Sequence, residues 1–241
     1  MIVYPAIDLR GGKVVRLREG DPNQETIFSD DPVAMAKRWI EQGAEWLHIV
    51  NLDGAFDHAN DNIEILKAVA QLDVNLQFGG GLRKVDDISK AIDAGANRAV
   101  IGTLATQNPE AVSEAIAKFG AGGLCIALDA KDGFVTTHGW TEKTTLTPIE
   151  FGRLMQERGV EHALYTDVNR DGSMIGVNIH DTVALARNTG LKVIASGGIS
   201  KMIEIQQLAH SHAIAGVVIG MALYRDEISL QEAILAAKER P

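Results

Sequence analysis

The sequence predicts an α/β fold, a (β/α)8 or TIM barrel built from two duplicated half-barrels, on three observations. Short apolar runs alternate with amphipathic helical stretches, about eight units in all, and the 241 residues are close to the ~250 typical of such barrels. The runs are continuously apolar rather than alternating, as in parallel strands covered on both faces. The chain also nearly repeats itself. Phe78-Gly79-Gly80-Gly81-Leu82-Arg83 is answered by Ala195-Ser196-Gly197-Gly198-Ile199-Ser200, and Val100-Ile101-Gly102-Thr103 by Val218-Ile219-Gly220-Met221. Gly80 and Gly197 stand 117 positions apart, Gly102 and Gly220 118 apart. An open doubly wound sheet also alternates strands and helices. Two matched halves, however, close naturally into a barrel with pseudo-twofold symmetry.

Taken in order, strands are expected over 2–7, 46–50, 74–78, 99–101, 124–128, 162–165, 192–195 and 216–219. Helical periodicity marks 32–42, where Val33, Met35, Ala36, Trp39 and Ile40 share a face before Gly43. It marks 85–94 through Val85, Ile88, Ala91 and Ile92 before Gly95, and recurs over 109–119, 148–158, 181–188, 202–209 and 229–238. No Pro/Gly/Ser-rich linker separates the halves, so residues 1–241 read as a single domain, with Gly120-Ala121-Gly122-Gly123 as the seam. Two long βα loops, 9–31 and 130–147, follow equivalent strands. Loops of that length without secondary structure usually cover an active site. The first holds Arg10, Lys13, Arg16 and Arg18; the second holds Lys131, His138, Trp140 and Lys143.

Composition narrows the function. At 46% hydrophobic and 23% charged, the chain is an ordinary globular protein. No apolar run reaches the ~18 residues that span a bilayer, and the N-terminus reads as a mature strand rather than a signal peptide. Cytoplasm is the default location. The net charge of −9 argues against nucleic acid and anionic membranes as partners. A phosphate ligand would therefore need local backbone N–H groups and helix N-termini. The single Cys125 allows no disulfide framework or thiolate metal site and reads as a small buried hydrophobe. No metal-binding motif and no Rossmann fingerprint occur.

The duplicated glycines carry the first functional signal. Gly80 and Gly81, like Gly197 and Gly198, follow strand ends; Gly102 with Thr103 and Gly220 with Met221 follow the next strands. Glycine lets backbone N–H groups approach a phosphate, and barrel active sites lie at the strand C-termini. Two matched sets point to two anion sites facing each other across one mouth. Asp8 and Asp129 each close an apolar run and so should point into that mouth, where a carboxylate can move protons. Asp171 is a third carboxylate, with Asp53 as its counterpart in the first half. Thr166 could bond a substrate hydroxyl or be a plain strand residue, and His48 could be catalytic or a core histidine. Arg83 could pair with a phosphate or face solvent. Trp140 could stack on a planar heterocycle or staple its loop to the rim.

Several of these segments resemble one family. Pro5 to Leu17 (Pro-Ala-Ile-Asp-Leu-Arg-Gly-Gly-Lys-Val-Val-Arg-Leu), His48 to Ala55, Gly79-Gly80-Gly81-Leu82-Arg83, Ala127-Leu128-Asp129 and Asp171-Gly172 resemble the phosphoribosylformimino-aminoimidazole carboxamide ribotide (ProFAR) isomerases of histidine biosynthesis. The resemblance covers the whole chain. It implies a half-barrel-duplicated (β/α)8 fold and an Amadori rearrangement of an aminoaldose to an aminoketose, on a bisphosphorylated ribotide with a phosphate at each end. It implies Asp8 as base and Asp129 as acid, with Asp171 at a position some members use as the acid and Thr166 close by. Asp129 ranks first because its strand end mirrors Asp8. Proton shuttling needs no cofactor or metal, and a monomer is expected. Asn51 stands where the family often has Asp. The sister cyclase is disfavoured because its first strand ends in Cys-Leu-Asp. An isomerase that also accepts phosphoribosylanthranilate, and a non-catalytic bisphosphate-binding barrel, remain as alternatives.

Overall fold

The computed structural model describes residues 1–18, 20–56 and 62–239; the last two residues of the expected domain lie outside them. In the first half, β1 (Ile2–Arg10) continues into a ribbon of β2 (Lys13–Arg18) and β3 (Asp21–Ser29), followed by α1 (Pro32–Glu41). Next, β4 (Trp46–Asn51) leads through α2 (Leu52–Ala55) to α3 (Ile63–Val69), and β5 (Asn75–Gly79) leads to α4 (Val85–Asp93). The half closes with β6 (Arg98–Ile101), α5 (Thr103–Gln107) and α6 (Pro109–Phe119). After a 3-10 turn at Ala121–Gly123 come β7 (Leu124–Lys131), β8 (Phe134–Thr137), β9 (Glu142–Lys143) and α7 (Pro148–Glu157). The rest is β10 (His162–Asp167), α8 (Ile179–Thr189), β11 (Lys192–Ser196), α9 (Met202–His210), β12 (Ile214–Ile219), α10 (Met221–Tyr224) and α11 (Leu230–Lys238).

Parallel pairing runs β1-β4-β5-β6-β7-β10-β11-β12 and returns from β12 to β1. This is the closed (β/α)8 barrel that the alternation and the repeat predict. No helix among the described residues is long and apolar enough to cross a membrane.

Local chemistry places the helices. Asp31 caps α1 by accepting from Ala34 N, with Pro32 in the first turn. Asn108 and Pro109 open α6 in the same way, and Thr147 and Glu150 form a reciprocal capping box on α7. The helix between β4 and β5, α3, is only 7 residues long and has no side-chain cap, so its apolar period does not stand out.

The structure corrects two expectations about the long loops and strand ends. Segments 9–31 and 130–147 are not structureless, because β1 and β7 run past the barrel rim and fold back as antiparallel ribbons with β2 and β8. Asp8 and Asp129 consequently lie inside strands rather than just beyond them.

Strand alternation sorts the side chains into two cores. Val3, Ile7 and Leu9 of β1 face the helices, while Tyr4 and Ala6 face the barrel axis. The same alternation sends Leu124, Ile126 and Leu128 outward and Cys125 inward. Continued by one step, it aims Asp8, Asp129 and Thr166 into the barrel mouth. Cys125 is fully buried and its thiol is pushed up to about 12, as befits a packing residue.

Candidate active site

One cavity of about 230 Å³ occupies the C-terminal mouth of the barrel. Asp8, Asp129, Asp171 and Thr166 all line it. So do Gly80, Gly81 and Arg83 on one side and Gly197 and Gly198 on the other, together with Gly102, Thr103, Gly220, Met221, His48 and Trp140. Every residue singled out from the sequence as a site candidate is thus brought to a single space.

The three carboxylates are held with raised pKa values, chiefly because burial disfavours their charged forms. Asp8 is pushed up to about 6, against the opposing pull of Arg16 and with a further push from Asp171. Arg16 Nη1 lies 2.7 Å from Asp8 Oδ2. Burial also raises Asp129, while hydrogen bonds donated by the Trp140 indole and the Thr166 hydroxyl draw it back and the charge of Asp171 adds to the rise. Asp171 is raised by burial and drawn down by Arg16 and the Gly172 N–H. The charge of Asp171 thus acts on both Asp8 and Asp129, and only Asp129 is moderated by hydrogen bonds rather than by a cation.

The glycines are fixed by space as well as by conformation. Gly80 has φ +100, and a Cβ there would collide with the backbone carbonyl of Asn51; Gly197 has φ +85, and its Cβ would meet Asp167 O at 3.0 Å. Residues 51 and 167 are equivalent. Leu9 pairs with Asn51 and Ala130 with Asp167, one step beyond Asp8 and Asp129. Each also accepts a hydrogen bond from the Asn before the next helix, Asn62 Nδ2 to Asn51 at 2.7 Å and Asn178 Nδ2 to Asp167 at 2.9 Å. Both Gly-Gly turns are thus pressed onto the preceding βα loop, which holds their N–H groups in place at the mouth.

Over these features, the family model described as Histidine biosynthesis protein matches residues 2–229. The chain belongs to the histidine biosynthesis protein family. It is an isomerase, as the curated relatives are named. It is 44% identical over 237 residues to the 1-(5-phosphoribosyl)-5-((5-phosphoribosylamino)methylideneamino)imidazole-4-carboxamide isomerase of Hahella chejuensis, covering 97% of both chains. Proteins of the same name from Persephonella marina (43% over 233 residues, 95% of this chain and 96% of the relative) and Methanococcus voltae (42% over 238, 97% of both) are similar to it.

In this family member, three loops meet above the cavity. His138 N donates to Thr103 Oγ1 at 3.0 Å, which ties the ribbon of the second half to the β6–α5 corner of the first. Gly139 lies against the Phe56 ring, and a Cβ at Gly20 would fall on the Trp140 ring. Trp140 itself adopts φ +71, so its indole reaches down to Asp129 while its ring closes against the β2–β3 turn. Arg83 Nη2 donates to Gly54 O at 3.1 Å at the rim.

The repeat misleads at one place. Asp53 matches Asp171 in sequence, but Asp171 lines the cavity while Asp53 accepts from Gly11 N at 2.8 Å and Asn62 Nδ2 at 3.1 Å. Asp53 ties the β1–β2 turn to the start of α3. Ser196 and Arg16 are among the cavity residues that the sequence motifs do not single out. Ser196 ends β11 two positions after the inward-facing Ile194, so alternation could have found it. Arg16 is one of several cations in its loop, and only the β1–β2 pairing, with Asp8 opposite Val15, brings it to Asp8.

Proposed function

We propose that this isomerase converts the aminoaldose ProFAR to its aminoketose, PRFAR, by an Amadori rearrangement, with Asp8 as base and Asp129 as acid. The observation that carries the reading is the grouping of three partly buried carboxylates with raised pKa values in the one cavity that two matched glycine turns also line. The relatives' name describes a molecule with two phosphoribosyl groups. Such a molecule has an anion at each end and the reacting sugar between, as the two glycine sets require. Gly102 and Gly220 cap α5 and α10 without any side-chain cap, leaving N–H groups at those helix starts for a phosphate.

The protons move in three steps. Asp129 gives its proton to the ribose ring oxygen as the C1′–O bond breaks, leaving a protonated imine. Asp8 takes the C2′ proton, and its electron pair forms the C1′–C2′ double bond of an enolamine. The enol O–H proton then leaves as C1′ gains a proton, yielding the ketone at C2′ and an amine at C1′. A base with a pKa near working pH combines availability with driving force, which is where burial places Asp8. Burial raises Asp129 above its ordinary value and so favours the protonated form that an acid needs, with no cation among the groups that draw it down. Thr166 and Trp140, donating to Asp129, orient it. Incubating the purified protein with the aminoaldose and following the ketose chromatographically tests the reading. Formation of the ketose supports it, and an unchanged aldose sinks it.

A further inference from the structure

The floor of the cavity is apolar around one histidine. Ala6, Val100, Ala127, Leu164 and Val218 line it beside His48, which is 5% exposed. His48, Gln77 and Arg98 occupy laterally paired positions on β4, β5 and β6, His48 opposite Gln77 and Gln77 opposite Arg98. Alternation turns all three inward, and they touch in a row. Gln77 Nε2 lies 3.2 Å from His48 Nδ1, and Arg98 Nη1 lies 3.3 Å from Gln77 Oε1.

Only one arrangement of protons satisfies this row. A guanidinium carries donors and no acceptor, so the amide atom facing Arg98 must be oxygen. The NH2 end of Gln77 then faces His48, and His48 Nδ1 must accept. A neutral imidazole has a single N–H, which is left on Nε2. The guanidinium that starts the chain is itself pinned. Arg98 Nε donates to Gly122 O at 3.1 Å, Nη1 to Tyr4 OH at 3.2 Å and Nη2 to His162 Nε2 at 3.2 Å, and its charge lies 4.7 Å from the Trp46 ring centre. Burial and the charge of Arg16 push His48 down to about 4, so the ring is neutral.

We propose that Gln77 and Arg98 are positioning residues that hold His48 as the Nε2–H tautomer, a fixed hydrogen-bond donor aimed from the cavity floor at the C2′ oxygen, which gains charge as the enol O–H proton leaves. The role in turnover rests on the proposed rearrangement; the tautomer does not. A donor placed in advance at a developing oxyanion lowers the barrier without moving a proton.

The test is nitrogen NMR of the full chain with 15N-labelled histidine, alongside steady-state kinetics. The wild-type spectrum is expected to show His48 protonated on Nε2 alone, and this needs no variant to fold. In Gln77→Glu, a carboxylate accepts from both neighbours. At alkaline pH, where an imidazole beside a carboxylate is neutral, the proton is expected to move to Nδ1, kcat to fall about 100-fold and KM to change little. Wild-type His48 protonated on Nδ1, a Gln77→Glu spectrum with the proton still on Nε2, or a moved proton with undiminished kcat would each overturn the proposal. Absence of ketose formation by the wild-type protein would instead remove the rearrangement, and the two failures are read in separate experiments.

Discussion

Arg16 Nη1 lies 2.7 Å from Asp8 Oδ2, and the two side chains are only 8% and 13% exposed. The same guanidinium fills the space that a side chain at Gly220 would need. One cation therefore joins the proposed base to one of the two glycine sets, and its pull on Asp8 is outweighed by burial.

The first consequence is a pH profile. Asp8 is raised from its ordinary 3.8 to about 6, so it is protonated, and useless as a base, below that value. The acid limb of kcat/KM is expected to titrate near pH 6 rather than near 4. A profile flat down to pH 4.5 would remove Asp8 from the base role.

Arg16→Met removes the charge that holds Asp8 down. The acid limb is expected to move to higher pH, with lower kcat/KM at neutral pH, as measured by the same profile. A downward shift would contradict the direction assigned to the ion pair.

Gly220→Ala and Gly102→Ala are equivalent by the repeat but not by the structure. A Cβ at Gly220 collides with the Arg16 guanidinium, whereas at Gly102 it meets only Ala127 Cβ at 3.4 Å. Gly220→Ala is expected to push the acid limb up, as Arg16→Met does, and to lower kcat. Gly102→Ala should leave the limb in place. Equal limbs in the two variants would show that Arg16 does not need the space.

Trp140→Phe keeps a ring against Gly20 but loses the indole N–H that bonds Asp129. Its kcat is expected to fall about tenfold, less than the ~10²–10⁴-fold that a positioned acid or base supplies because Asp129 itself is kept, while KM stays close to wild type. Trp140→Ala also loses the ring, so its KM should rise as well. A KM effect of equal size in both would assign Trp140 to loop packing alone.

Much of this site is legible before any coordinates, for definite reasons. Period-two alternation along β1, β7 and β10 is enough to aim Asp8, Asp129 and Thr166 inward, and the repeated Gly-Gly turns mark the strand ends beside them. What stays hidden depends on contacts between distant segments. The pairing of β2 with β1 brings Arg16 to Asp8, and nothing in the loop sequence distinguishes Arg16 from Arg10 or Lys13. Asp53 and Asp171 share an Asp-Gly signature, yet the Gly11 turn captures only the first. Gln77 reads as one polar residue in an apolar run, and its meaning emerges only when the register sets it between His48 and Arg98.

The most direct test of the central claim compares Asp8→Asn with wild type by turnover of the aminoaldose and by calorimetric affinity for the ketose product. The asparagine keeps the shape but cannot take the C2′ proton. A fall in kcat of at least ~10²-fold, with product affinity within a few-fold of wild type, is the predicted result. Wild-type-like kcat in Asp8→Asn would contradict the assignment of the base.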